Sequence, residues 1–96
     1  MAINISLVNF TEQGIKNIKE SPKRAQAFRD LCKKNGITVR DVFYCVGRYD
    51  MVVITEGNEE AMTSTLLSVA KLGNVRTETL RGMDQETFSR ILEKVG

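Results

Sequence analysis

Gly47-Arg48-Tyr49-Asp50 sets a cation, a phenol and a carboxylate on consecutive residues behind a glycine. Part of this is turn chemistry. Glycine takes up a positive φ freely, and an Asp carboxylate bonds nearby backbone. That accounts for Gly47 and Asp50 but leaves Arg48 and Tyr49 with more chemistry than a turn requires. The alternative is a grip, with Asp50 on a ligand amine and Arg48 on a carboxylate through charge-assisted hydrogen bonds. Further along, Arg76-Thr77-Glu78-Thr79 alternates charge with hydroxyl. On a strand, Arg76 and Glu78 share one face and the threonines the other. The two charges are either a solvated pair worth under about 1 kcal/mol or the walls of a polar pocket. Asn9, at the end of an apolar strand, either caps the next turn or offers its amide to a ligand. Tyr44 supplies a second phenol.

Other chemistries are narrowed by composition. The 96 residues contain no histidine and no tryptophan. A histidine triad, a histidine-ligated haem and a His-containing metal site are excluded. Cys32 and Cys45 have no CxxC spacing, so both are expected as reduced thiols in or near the core, with no zinc site. No glycine-rich phosphate loop is present. No cofactor and no metal are expected. Cofactor-free oxygen chemistry would have Asn9, Tyr44, Tyr49 and Arg76 to draw on, at spacings that are not specific to it.

Lys and Arg number 14 against 12 Asp and Glu, for a formal charge of +2 spread along the chain. Nucleic acid usually demands a concentrated basic face, so it is not an expected partner. No apolar run is long enough to span a bilayer. Met1–Phe10 lacks the basic start of a signal peptide and reads as a strand. A soluble, cytoplasmic domain without a membrane partner is expected, with residues 1–96 forming one domain.

These residues need elements to position them. Alternation predicts a strand over Ile3–Phe10, with Ile3, Ile5 and Leu7 on one face and Val8 and Phe10 on the other. Thr11 caps a short helical stretch carrying Ile15 and Ile18. Ser21 then caps a second helix with Pro22 in its first turn, a stripe of Ala25, Phe28, Leu31 and Cys32, and Gly36 at its end. A strand over Thr38–Val46 is expected to set Val42, Tyr44 and Val46 against Val39, Phe43 and Cys45. After the turn come a β-branched strand (Met51–Glu56), a helix capped by Asn58 with Met62, Leu66, Val69, Ala70 and Leu72 inward, and a strand over Val75–Leu80. Asp84 caps a last helix with Phe88, Ile91, Leu92 and Val95 inward. This βαββαβ order with an added helix predicts an α+β, ferredoxin-like antiparallel sheet with helices on one face. The other face carries apolar residues in either register, which favours a second subunit over water.

Three strings together, Ser6-Leu7-Val8-Asn9-Phe10-Thr11, Gly47-Arg48-Tyr49-Asp50 and Leu72-Gly73-Asn74-Val75-Arg76-Thr77-Glu78-Thr79-Leu80, resemble the GYD-domain family over nearly the whole chain. The resemblance implies a dimeric α+β barrel and no established activity. The Gly-x-Tyr-Asp hairpin with Val75-Arg76-Thr77-Glu78-Thr79 is also similar to the effector domain of Lrp/AsnC-type regulators. That second resemblance implies a small-molecule ligand at a subunit interface. The 96 residues leave no room for a helix-turn-helix domain, so direct DNA regulation is not expected.

The expectation is a homodimer or higher assembly that binds a small polar molecule. The site residues would be Asn9, Tyr44, Arg48, Tyr49, Asp50, Arg76 and Glu78. A cofactor-free enzyme of the barrel type and a structural oligomerisation module are the alternatives. An RNA-recognition module, which shares the strand order, would show stacking aromatics on its third strand; Met51–Glu56 has none.

Overall fold

The computed structural model describes residues 2–96. Its elements are β1 (Ala2–Phe10), α1 (Glu12–Lys16), a 3-10 turn (Ile18–Glu20), α2 (Ser21–Lys34), β2 (Thr38–Tyr44), β3 (Met51–Gly57), α3 (Glu59–Ala70), β4 (Val75–Gly82) and α4 (Gln85–Leu92). The strands form one antiparallel sheet in the order β2-β3-β1-β4, the expected ferredoxin-like plan.

Side-chain caps start three of the helices. Thr11 Oγ1 accepts from Gly14 N, Asn58 Oδ1 from Ala61 N and Asp84 Oδ1 from Thr87 N, satisfying donors that a helix start leaves free. Ser21 is a correction. It is the first residue of α2 rather than its cap, and its hydroxyl lies 2.9 Å from the Tyr44 phenol oxygen.

Thr11 also fastens β1 to the loop after α3. Its N–H donates to Asn74 O, and its hydroxyl to Gly73 O at 2.6 Å. Gly14 completes this junction, because a Cβ there would collide with the Asn74 carbonyl.

The sheet has two unlike faces. Toward α2 and α3 point Ser6, Val8, Met51, Val53 and Thr55, all buried. Phe28 of α2 joins two apolar clusters on this side, one around Val8, Met51 and Val53, the other around Cys32, Ile37 and Met62. The opposite face carries Ile3, Ile5 and Leu7 of β1 paired with Glu56, Ile54 and Val52 of β3. Phe43 and Leu80, 54% and 49% exposed, flank that row in the outer strands.

Three expectations are corrected. In β2 the register shifts between Val39 and Asp41, so Val39 and Val42 both oppose helix-side residues, Thr55 and Val53. A bulge lets two residues stand opposite one, which simple alternation does not foresee. The strand also stops at Tyr44. Cys45 donates its N–H to Asp50 O in the turn and is exposed rather than near the core. Finally, Phe88, Ile91, Leu92 and Val95 do not face inward. They are 41–66% exposed, because β4 is an edge strand and α4, which leaves it, packs closely against no other element described.

Candidate functional site

The open sheet face ends in a polar cleft where β1 and β4 pair. Asn9 stands opposite Arg76 and Leu7 opposite Glu78, so all four side chains share the open face. Tyr49 closes the cleft from the β2–β3 turn. Leu7, Asn9, Tyr49, Arg76, Thr77 and Glu78 line this shallow space of about 300 Å³. The Tyr49 hydroxyl donates to Glu78 Oε1 at 2.8 Å. That bond to Glu78 holds the phenol pKa above its ordinary value of 10.0; burial and the Glu78 charge act in the same direction, and Arg48 opposes them.

The turn is built to hold Tyr49 there. Gly47 has φ +150, a backbone that L side chains rarely adopt. Asp50 N donates to Val8 O, and Asp50 Oδ2 accepts from Phe10 N at 2.9 Å. The Asp50 carboxylate therefore serves the end of β1. The Arg48 guanidinium carbon lies 5.8 Å from the Tyr49 ring centroid, a cation–π distance, and Arg48 does not line the cleft.

Four of the seven expected site residues, Asn9, Tyr49, Arg76 and Glu78, come together. Arg48 and Asp50 support them from the turn. Tyr44 lies on the helix side of the sheet against Ser21. Leu7 and Thr77 complete the cleft, and the register of β1 on β4 was the signal that would have found Leu7. Among the described residues neither Arg76 nor Glu78 has a salt-bridge partner. The cleft thus offers a cation and an anion on one strand face, two residues apart, with an amide beside them. That set suits a small molecule bearing both charges. Among the described residues no group of His, Cys, Asp and Glu is arranged to hold a metal, and no helix is long and apolar enough to cross a membrane.

A second concavity lies on the other side of the sheet. α2 and α3 are splayed over β1 and β3, leaving a cavity of about 210 Å³ between helices and sheet.

A family model described as the GYD domain matches residues 5–92. No curated protein matches the chain. Among solved structures, MtbAldR is similar at 14% identity and TM-score 0.65, and the feast or famine regulatory protein from M. tuberculosis complexed with L-methionine at 13% and 0.64. In each case 88% of this chain covers 52% of the other, so the chain spans about half the length of these proteins. The C-terminal domain of the MgtC protein from Mycobacterium tuberculosis is similar at 12% identity and TM-score 0.54, over 84% of this chain and 86% of that one. At these identities the likeness is one of fold, and at that level the resemblance to Lrp/AsnC-type regulators holds.

Proposed function

Because the chain belongs to the GYD domain family, which fixes its fold but assigns it no reaction, we propose from its geometry that it is a homo-oligomeric domain binding a small zwitterion, of which an amino acid is the type. The cleft of Asn9, Tyr49, Arg76 and Glu78 is the site. Arg76 takes the carboxylate, Glu78 the amine, and Asn9 a remaining polar group. The observation that carries this reading is the pair of spare opposite charges, Arg76 and Glu78, beside the Tyr49–Glu78 hydrogen bond at the rim of an apolar sheet face. A second copy laid on that face through Phe43, Leu80 and the row between them would turn a shallow cleft into an enclosed one, where charge-assisted bonds strengthen. The L-methionine carried by the feast or famine regulatory protein makes amino acids the first ligands to test.

A thermal-shift screen of amino acids on the wild type, Arg76→Ala and Glu78→Ala tests it. At least one amino acid raises the wild-type melting temperature, and both variants fold, assemble and lose the shift. An oligomeric wild type that no amino acid or related zwitterion stabilises overturns the ligand; a monomeric one overturns the interface.

A further inference from the structure

We propose that the cavity between α2, α3 and the sheet is a second binding site, for a small carboxylic acid with an apolar body, either a single ring or a short alkyl chain. The size and lining of the cavity set the body. An apolar cavity of about 150 Å³ holds benzene, so 210 Å³ accommodates a ring with a substituent or a short chain. Val8, Phe28, Val53, Met62, Leu66 and Val69 surround it. The exposed Ala27, Ser68 and Leu72 mark its open side.

One charged residue lines this space, the half-buried Arg24. It sets the charge of the ligand. Its guanidinium donates to Asn17 O at 2.9 Å and to Gly14 O at 3.4 Å, and it has no carboxylate partner among the described residues. Two of its five N–H donors are thereby used to fix the group in place. The remaining donors and a full positive charge belong to a side chain that lines an apolar space, and a carboxylate is the complement of that fork. Backbone carbonyls orient the guanidinium without neutralising it. The site lies on the helix side of the sheet, away from the Arg76–Glu78 cleft, so occupancy of one can be read without the other.

Methyl NMR of the full chain, followed at Met62 and at Leu80 of the open face, tests the proposal with octanoate, 1-octanol and acetate as probes. Octanoate shifts Met62 and not Leu80, 1-octanol binds more weakly, and acetate does not bind. Arg24→Gln lowers octanoate affinity roughly tenfold or more, in line with the loss of a charged hydrogen bond, and leaves 1-octanol affinity unchanged. Val69→Phe, which fills the cavity, abolishes binding of both; Ala25→Leu serves the same purpose if Val69→Phe does not fold. The proposal is overturned if octanoate leaves Met62 unmoved, if Arg24→Gln binds octanoate as the wild type does, or if a folded filling variant still binds it.

Discussion

Tyr49 reaches across β1 to Glu78, its hydroxyl 2.8 Å from Oε1, and so joins the β2–β3 turn to the strand at the far edge of the sheet. Leu7 lies between them in the register, opposite Val52 on one side and Glu78 on the other. The bond fixes the position of the anion in the cleft, and it fixes the turn as well.

This bond has a pH signature. Donation to Glu78 raises the phenol pKa above 10.0. A raised folded-state pKa contributes stability that is fully present below the unfolded value and lost as pH rises through the folded one. Titration of phenolate absorbance will show a step above 10.0 that is absent from Tyr49→Phe and moves down in Glu78→Gln. A Glu78→Gln curve that overlays the wild type would mean the bond does not form in solution.

Asp50→Ala separates support from binding. Its carboxylate takes the Phe10 N–H, so urea denaturation will show a loss of about 1 kcal/mol. Affinity for the cleft ligand, measured on the folded protein, stays close to wild type. A large loss of affinity with unchanged stability would place Asp50 in direct contact with the ligand.

Phe43→Asp puts a charge on the β2 side of the open sheet face, beside Val52. Burying an unpaired charge in an interface is strongly unfavourable. Light scattering coupled to gel filtration will find an assembly for the wild type and a species near 10.8 kDa for the variant. Phe88→Asp, made on the exposed stripe of α4, asks whether that helix shares the interface. A wild-type assembly unaffected by Phe43→Asp would move the contact off the sheet.

The two thiols differ in reactivity. Burial pushes the Cys32 thiol up to about 11, with Arg29 acting in the opposite direction, while Cys45 is exposed. Thiolate is the reactive form. Iodoacetamide near neutral pH will add one group per native chain, at Cys45, and two after unfolding in denaturant. Prompt double labelling of native protein would show that the Cys32 side opens readily.

Alternation placed the faces of β1 correctly because that inner strand pairs with β3 and β4 in unbroken register. It failed in β2, where the extra residue near Arg40 changes the phase. Ser21 followed by Pro22 is a fair cap signal, but Tyr44 claims the hydroxyl from another element, and no local pattern contains that partner. Likewise the stripe of α4 is plain as a helix face, whereas what lies against it depends on where β4 points. The meeting of Asn9 with Arg76, and of Tyr49 with Glu78, rests on the β1–β4 register and on one turn. The residue types were legible, and their company was not. The space above Val53 and Met62 comes from the spread of two helices, which composition does not encode.

The register shift at Arg40 has a bearing on how such a sheet avoids growing. β2 and β4 are its rims, and an unpaired rim invites strand addition by a stranger chain. On β2 the bulge breaks the straight run of donors and acceptors, and Arg40 is held 3.8 Å from Glu56 of the next strand. On β4 the rim carries Arg76, Glu78 and Arg81, with Arg81 paired to Glu59. Charge at both rims, with irregularity on β2, disfavours edge-to-edge stacking, and the apolar face is then the surface on which the proposed contact between copies would form.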